Sequence, residues 1–227
     1  MSTATADRKE IRKYWFTVEG KNESWYLGWL EKKINRHPGS KYRVILPCSV
    51  QQNPLKFSKT LNVLSAPEVT HWCDVESEEY MHVRKFQDVL QQMRKSTGLG
   101  GRKFRYLLGY SNFTFELWMV LHKLSFYETL GNRFEYLEPI NRAYGENYTK
   151  LENYKNERNF KRILGSLTLD DVTAAIGRAK EITAINREEN FYQANYFGYR
   201  YYTENPSLSI WESVEKILND CSITGEP

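Results

Sequence analysis

The chain has 227 residues, a formal net charge of +4 and 15% aromatic residues. This length fits one compact domain with a core of its own. The weakly basic balance permits a nucleic-acid partner without requiring one, since dedicated binders usually carry more positive charge. The three cysteines are widely spaced and no histidine stands at zinc-finger distance from them, so we expect neither a disulfide framework nor a structural zinc site. We expect a cytoplasmic protein without a membrane span, because no segment approaches the roughly 18 apolar residues that a membrane helix needs.

Strand-like and helical segments alternate through the first half of the chain. The predicted strands run from Tyr14 to Val18, Lys41 to Leu46, Val69 to Cys73 and Lys103 to Tyr110. A helical pattern follows each strand, and the predicted starts are the caps Asn22 and Asn53, the acidic segment Ser77-Glu78-Glu79, and Phe113, which opens an apolar helix to Leu124. The apolar stripe of the second predicted helix consists of Phe57, Leu61 and Leu64. Such alternation favours a mostly parallel sheet with helices on both faces.

The glycine-rich segment from Gly98 to Gly101 lies before the fourth predicted strand. It lacks the Gly-Lys-Ser/Thr sequence of a P-loop, so it predicts a flexible loop rather than a phosphate cradle.

The second half of the chain has a different pattern. Residues 126–165 predict short helices and loops, and Thr168 opens a helix with a capping-box pattern. The apolar positions of that helix are Val172, Ile176, Ala179, Ile182 and Ile185. Asn205-Pro206-Ser207 predicts the cap of a last helix with Ile210, Val214, Ile217 and Leu218 on one face. The predicted fold class is therefore α/β, with an α/β core over residues 10–124 and a mainly helical part over residues 125–222 packed on it as one compact unit.

Acidic residues follow two of the predicted strands. Glu19 precedes Gly20, which would let the backbone turn sharply, and Asp74 and Glu76 follow the third strand. Ligands of open α/β sheets bind outside the carboxyl ends of the strands. Residues i and i+2 of an extended segment project to the same side, so we expect Asp74 and Glu76 to point into one cleft. Glu19, Asp74 and Glu76 together predict a shared metal site.

The chemistry of such a site would suit phosphodiester cleavage. Carboxylate oxygens are hard ligands, and Mg²⁺ needs only one or two of them beside its waters. Two ions about 4 Å apart would stabilise the attacking and leaving oxygens of a phosphodiester without a Ser or His nucleophile. Two other readings remain open: Glu19 as part of an ordinary turn, and Asp74 and Glu76 as a loop acid and a first-turn helix acid.

Several motifs together resemble the RloB-like family. They are Val18-Glu19-Gly20-Lys21, Glu23-Ser24-Trp25-Tyr26, Asp74-Val75-Glu76, the segment from Ser111 to Trp118 with His122, and Asn205-Pro206-Ser207. The family is associated with bacterial abortive-infection and phage-defence loci, and the resemblance spans roughly residues 10–220. It implies a Toprim-like core, the metal-binding fold shared with topoisomerases, bacterial primases and OLD-type nucleases.

The resemblance assigns the Toprim glutamate to Glu19 and the Asp-x-Asp pair to Asp74 and Glu76. Glu76 stands where the family generally has Asp, which lengthens this arm by one methylene, and Phe113-Thr114 replaces the usual Pro-Cys. Glu116 matches the family motif as a further ligand or catalytic acid, with a helix-packing role as the alternative. His122 also matches, but a histidine on an apolar helix is more often a core residue than a base.

The resemblance implies a Mg²⁺- or Mn²⁺-dependent nuclease that acts in phage defence on RNA, including tRNA, or on DNA. The alternative is a catalytically weak or inactive Toprim-like nucleic-acid-binding or regulatory subunit, because the Asp-Val-Glu sequence departs from the family pattern. Both hypotheses leave room for a separately encoded ATPase as partner, since the chain has no P-loop, and for a homo-oligomer. Strand passage and primer synthesis are disfavoured, because 227 residues leave no space for the further domains those reactions use.

Basic and aromatic side chains are candidates for contacts with nucleic acid. The basic candidates are Lys21, Lys155, Arg158, Lys161, Arg162 and Arg200. Seven aromatic residues lie among the twelve from Phe191 to Tyr202. Stacking of a base on one of these tyrosines (Tyr192, Tyr196, Tyr199 and Tyr201) would contribute about 1–3 kcal/mol. The alternatives are a solvated face for the cations and core packing for the tyrosines.

Overall fold

The computed structural model of the chain describes residues 9–61, 68–97 and 104–223. The strands are β1 Ile11–Lys13, β2 Trp15–Val18, β3 Arg43–Ile45, β4 Cys48–Val50, β5 Glu68–Asp74, β6 Arg105–Asn112, β7 Gln193–Tyr196, β8 Tyr199–Tyr202 and β9 Ser207–Leu208. The helices are α1 Lys21–Arg36, α2 Pro54–Thr60, α3 Tyr80–Ser96, α4 Glu116–Leu121, α5 Leu137–Tyr144, α6 Leu151–Lys155, α7 Glu157–Gly165, α8 Leu169–Glu188 and α9 Ile210–Asp220. A 3₁₀ turn, Arg133–Tyr136, precedes α5.

The central sheet has the strand order β4-β2-β5-β6-β9. β2 pairs in parallel with β4 and β5, β5 pairs in parallel with β6, and β9 is antiparallel to β6. β1 and β3 form a separate parallel pair, and β7 and β8 form a hairpin. The predicted α/β class is confirmed: a mostly parallel sheet is flanked by helices, and helices predominate towards the C-terminus. Because β2, β5 and β6 are parallel, the residues that follow them lie at one edge of the sheet.

Apolar side chains cover both faces of the sheet. One cluster joins Phe16 and Trp72 of the sheet to α1, α4, α8 and α9, and the other joins β5 and β6 to α3. Trp72 lies at the centre of the first cluster, with ring centroids 5.3 Å from Phe16 and 6.1 Å from Phe115. This cluster also contains Phe160 and Ile217 from the second half of the chain. The division of the chain at residue 124 stays a prediction.

Several predicted helix starts are wrong. Asn22 does not cap α1, which begins at Lys21 directly after Gly20. Gly20 has an extended backbone with φ −131° and ψ 176°, so it makes no sharp turn. α3 begins at Tyr80 rather than at 77–79, because the Ser77 hydroxyl accepts from the Glu79 amide at 3.2 Å and holds this segment outside the helix.

The segments beside β6 also differ from the prediction. α4 is shorter than the predicted helix from Phe113 to Leu124, since residues 113–115 still connect it to β6. Ser209, rather than the segment at 205–207, is the N-cap of α9, because residues 207–208 pair with β6 as β9. Sequence reasoning missed β1, β4, β9 and the hairpin of β7 and β8. Leu64 and the glycine-rich segment at 98–101 lie outside the described residues.

The clearest local signals are confirmed. Asn53 Oδ1 accepts from the Lys56 amide at 2.8 Å and caps α2. Thr168 and Asp171 form a reciprocal capping box at the start of α8. The three cysteines are free thiols. Within residues 9–61, 68–97 and 104–223, no helix combines the length and the apolar character needed to cross a membrane.

Gly109 of β6 allows a close approach of Trp72, and this contact can be tested. An added Cβ at Gly109 would lie 2.4 Å from Trp72 Cδ1, and the Trp72 ring is 1% exposed, so it has no room to move. We expect Gly109→Ala to lower the free energy of unfolding by about 1–3 kcal/mol, as overpacking does, measured by chemical denaturation.

Gly177→Ala is the matched control for that substitution. Gly177 lies on an exposed position of α8, and its added Cβ would meet no atom within 4 Å. The control should raise stability by about 0.4–1 kcal/mol, because alanine reduces the freedom of the unfolded chain. Equal stabilities of the two variants would contradict the packing described for Trp72.

Candidate metal centre at the carboxyl edge of the sheet

Four carboxylates converge where β2 and β5 end. Glu19 follows β2, Asp74 ends β5, Glu23 lies in the first turn of α1 and Glu116 is the first residue of α4. The Asp74 amide donates to Glu19 Oε2 at 3.3 Å. The Thr114 hydroxyl donates to Glu116 Oε2 at 2.5 Å and lies 3.3 Å from Asp74 Oδ2. These contacts join Glu19, Asp74 and Glu116, and Glu23 lies near enough to interact electrostatically with all three. We call Glu19, Glu23, Asp74 and Glu116 the acid cluster.

The sequence around Gly20 explains how Glu23 reaches this group. A Cβ at Gly20 would lie 2.8 Å from Glu23 Oε2, closer than a side chain tolerates. The glycine between β2 and α1 is therefore needed for the space it leaves rather than for a turn. That space lets the Glu23 carboxylate lie directly beside the end of the strand.

Burial raises the pKa values of Glu19, Glu23 and Asp74. Glu116 is 0% exposed and Glu23 is 8% exposed. Burial raises the pKa of Glu23 to about 7, and the charges of Glu116 and Glu19 add to this effect. Burial also raises the pKa of Asp74 well above its ordinary range, with contributions from Glu23, Glu19 and Glu116. The pKa of Glu19 is raised chiefly by burial. Each of these three carboxylates therefore gains from a nearby positive charge.

Lys155 supplies one such charge. Its Nζ lies 3.0 Å from Glu116 Oε2, and its side chain is 37% exposed. Burial opposes its charge, but the charges of Glu116 and Asp74 outweigh this, so the pKa of Lys155 is raised. Among the residues that the structure describes, no other cation forms an ion pair with the acid cluster. The Lys85 ammonium also attracts Glu19 and Asp74 without an ion pair to either. Two ammonium groups against four carboxylates leave the cluster with an excess of negative charge whenever the carboxylates are ionised.

The donor atoms of the cluster fit a hard divalent cation. All are carboxylate oxygens, the ligand type that Mg²⁺ and Mn²⁺ prefer. Glu116 Oε1 is buried and has no hydrogen-bond partner among the described residues. As they stand, however, no three His, Cys, Asp or Glu side chains in the described part of the chain are placed to hold one ion. Ion binding would therefore require the carboxylates to turn towards a common point.

Glu76 lies beside this cluster but points elsewhere. The backbone at Glu76 is left-handed, with φ 67°, so the expected extended run from Asp74 to Glu76 is wrong. The Glu76 carboxylate pairs with Lys85 at 2.6 Å, His82 at 3.3 Å and Arg133 at 3.9 Å. Burial acts to raise the pKa of Glu76, but the Lys85 hydrogen bond and these cations lower it overall. The role of Glu76 as a metal ligand stays a prediction.

The basic candidates for nucleic-acid contacts lie in different surroundings. Lys155 is part of the candidate centre, whereas Arg162 is held by Glu146 and by the Tyr148 hydroxyl. Lys161 pairs with Glu157 at 2.5 Å and lies 5.5 Å from the centroid of the Trp25 ring. The other candidates are exposed: Lys21 at the start of α1, Arg158 on α7 and Arg200 on β8. Binding of nucleic acid by any of them stays a prediction.

His122 is a core residue in this structure. It is 1% exposed, and its Nδ1 lies 2.8 Å from the Trp118 carbonyl oxygen. Because a carbonyl only accepts, Nδ1 carries the proton and Nε2 accepts from the Tyr26 hydroxyl at 3.1 Å. Burial lowers the pKa of His122 to about 4, so this histidine stays neutral at physiological pH.

The sequence analysis missed Glu23 and Thr114 as site residues. Glu23 enters the sequence analysis only as part of the motif Glu23-Ser24-Trp25-Tyr26, although it lies three residues after Gly20 and four after Glu19. Thr114 lies within the segment that departs from the family pattern, and its hydroxyl joins Asp74 to Glu116. Proximity to Glu19 at the end of β2 is the signal that could have found Glu23, and proximity to Glu116 is the signal that could have found Thr114.

A parallel sheet with a cluster of acids at its carboxyl edge defines an α/β protein with a candidate cation-binding centre. A scan against protein families matches the RloB-like protein family over residues 14–217, and the chain belongs to this family. Membership in the RloB-like family suggests a protein associated with phage defence. No curated protein and no solved structure matches the chain.

The raised pKa of Glu23 predicts an unusual dependence of stability on pH in metal-free protein. Its folded value of about 7 lies above the ordinary 4.5, so the folded state binds this proton more tightly than the unfolded state does. This stabilisation is fully present below pH 4.5 and is lost as the pH rises to about 7. Glu23→Gln does not titrate, so relative to wild type it should gain on the order of 3 kcal/mol across that range.

The measurement is urea denaturation in EDTA at several pH values from 4.5 to 8. Glu152→Gln, at an exposed position of α6, is the matched control and should follow the wild type throughout. A stability difference between Glu23→Gln and wild type that stays constant with pH would show that Glu23 is not buried among like charges.

Proposed function

We propose that this protein is a Mg²⁺- or Mn²⁺-dependent phosphodiester nuclease that acts in bacterial phage defence by abortive infection, with the acid cluster as its metal and catalytic site. The observation that carries this proposal is the convergence of four carboxylates from separate segments, of which only Glu116 forms an ion pair among the described residues, with Lys155. Buried carboxylates without compensation are costly and are usually paired or bound to metal. The acid cluster at the carboxyl edge of the parallel sheet is therefore suited to binding a cationic ligand.

Glu19 and Asp74 are the residues best placed to hold the ion, because they extend from the ends of neighbouring strands. Glu23 and Glu116 would supply further oxygens from the helix starts, and Glu76 would act from the rim. A bound divalent ion would polarise the phosphodiester and lower the pKa of water at this position. Thr114 keeps the carboxylates of Asp74 and Glu116 next to each other.

Lys155 would take part in binding the substrate. Its ammonium balances the charge of Glu116 in the free protein, and its partly exposed side chain can reach solvent at the mouth of the site. Once an ion has neutralised the carboxylates, a phosphate that enters the site would be attracted to this ammonium. Lys21 and Lys161 on the neighbouring helices would extend the positive surface towards an RNA, including tRNA, or a DNA strand.

Family membership supports the phage-defence part of the proposal, and the arrangement of strands and acids is consistent with a Toprim-like core. A separately encoded ATPase as activating partner and a homo-oligomeric assembly belong to the same proposal. Neither is needed for the metal site itself.

A second candidate function is a catalytically weak or inactive Toprim-like nucleic-acid-binding or regulatory subunit that works with the partner ATPase. The ion pairs of Glu76 favour it, because Lys85, His82 and Arg133 already neutralise the acid that the resemblance places in the metal site. In that case the acid cluster would hold the fold in one state or bind a partner's cation without cleaving a substrate.

Titration of Mn²⁺ into the protein tests the metal site without knowledge of the substrate. We expect wild type to bind Mn²⁺ and Glu19→Gln and Asp74→Asn to lose at least about tenfold in affinity, since each removes a charged ligand. Glu152→Gln is the control of equal charge change and should bind as wild type does. Cleavage of RNA or DNA is then assayed with Mn²⁺ present.

The outcomes separate the two candidate functions. Metal binding with cleavage that both site variants abolish supports the nuclease. Metal binding without cleavage of any RNA or DNA, also in the presence of the partner ATPase, supports the regulatory subunit. Absence of Mn²⁺ binding in wild type, or equal binding in wild type and both site variants, would overturn the assignment of the acid cluster as a metal site.

Gly20→Ala tests the geometry of the cluster while leaving every carboxylate in place. Its Cβ would displace the Glu23 carboxylate, so we expect Mn²⁺ affinity to fall by roughly threefold to thirtyfold, the effect of about 0.7–2 kcal/mol of misplacement. Gly28→Ala, at an exposed position of α1 with no atom within 4 Å of its added Cβ, is the control. Unchanged affinity in Gly20→Ala would exclude Glu23 from the metal site.

A further inference from the structure

A large cavity lies away from the acid cluster, beside the N-terminal halves of the central strands. It has a volume of about 1260 Å³. Its walls come from the first residues of β2 and β5, the middle of β6, the hairpin of β7 and β8, the last turn of α8 and one side of α9. No member of the acid cluster lines it. Trp15 and Glu19 are four residues apart along the chain, so the cavity and the acid cluster are separated by roughly 13 Å along the strand.

Basic side chains without partners surround this cavity. Lys13, Arg187 and Arg200 line it from three separate elements. Within the described part of the chain, none of the three forms an ion pair or a side-chain hydrogen bond. Lys216 also lines the cavity, but it is engaged by Asp220 at 3.8 Å and lies over the Tyr14 ring. Three unpaired cations around one concave surface are suited to an anion with several charged oxygens.

Aromatic rings form other parts of the same wall. Trp15 and Tyr199 are both partly exposed and line the cavity from the sheet and from the hairpin. Planar aromatic groups stack on such rings. Glu212 of α9 adds a carboxylate that lies in no ion pair among the described residues and can accept a hydrogen bond from an amino or hydroxyl group. The cavity therefore carries groups that can bind a phosphate, the ring of an aromatic base and the polar edge of that base.

We propose that this cavity is a second, separate binding site for a nucleotide, with the phosphates at Arg187, Arg200 and Lys13 and the base against Trp15 or Tyr199. The volume exceeds the roughly 300–1000 Å³ of common small-molecule sites, so a mononucleotide or a strand of two to three nucleotides can enter. Arg200, one of the candidates for nucleic-acid contacts, would then act at this cavity. The inference does not depend on the nuclease activity, because none of its residues belongs to the candidate metal centre.

Isothermal titration of the full chain in EDTA tests this site, because chelation prevents a nucleotide from binding through a metal at the acid cluster. The probes are ATP, a 5′-phosphorylated trinucleotide and inorganic tripolyphosphate. We expect ATP or the trinucleotide to bind at least about tenfold more tightly than tripolyphosphate, which has the charge but no base. Tripolyphosphate binding as tight as that of both nucleotide probes would overturn a nucleotide site, as would the absence of binding by both at millimolar concentration.

Variants locate the binding. The double variant Arg187→Gln/Arg200→Gln should weaken binding of the preferred probe by about tenfold or more, since two charge-assisted contacts are lost. Both side chains lack partners in the described structure, so the double variant should fold, and thermal unfolding checks this. Arg158→Gln, on α7 outside the cavity, and Asp74→Asn, in the acid cluster, should bind as wild type does. An equal loss in Arg158→Gln or in Asp74→Asn, or no loss in the double variant, would refute the proposal.

Discussion

The structure depends on a cluster of like charges that is held together by the fold around it. Burial and the charges of neighbouring carboxylates raise the pKa values of Glu19, Glu23 and Asp74, and among the described residues only Lys155 forms an ion pair with this group, at Glu116. Such a group forms only where rigid elements place it, because free carboxylates would separate. The parallel pairing of β2 with β5 sets the position of Glu19 against Asp74, and the Trp72 core behind them keeps this pairing in register.

The two sides of the cluster have different electrostatic characters. Towards the interior, burial raises the pKa values of Glu23 and Asp74, so these groups favour either protons or a cation. Towards the rim, Glu76 is already neutralised by Lys85, His82 and Arg133. The left-handed backbone at Glu76 causes this difference, since it turns the side chain away from Asp74 and towards the start of α3. A metal site built on Glu19 and Asp74 is therefore compatible with a structural role for Glu76.

The second half of the chain completes both proposed sites. α6 brings Lys155 to the acid cluster at the carboxyl ends of the strands. The end of α8, the hairpin and α9 enclose the cavity beside the N-terminal halves of the strands. The apolar residues of α6, α8 and α9 enter the same cluster as Phe16 and Trp72, and those of the hairpin enter the cluster that joins β5 and β6 to α3. This shared packing explains how a segment with weak periodicity, such as residues 126–165, can still place a functional side chain with precision.

The sequence by itself determined the α/β class, the mostly parallel character of the sheet and the caps at Asn53 and Thr168, because hydrophobic period and cap chemistry are local properties. It also identified Glu19, Asp74 and Glu116 as candidates from their place beside strand ends and from the family motif. Only the tertiary structure decided which acids meet. The roles of Glu23 and Lys155, the separation of Glu76 and the cavity beneath the hairpin depend on side chains distant in sequence and on the positive φ of one residue. No local pattern encodes those distances, since they arise when the sheet, α1, α4 and α6 pack against a common core.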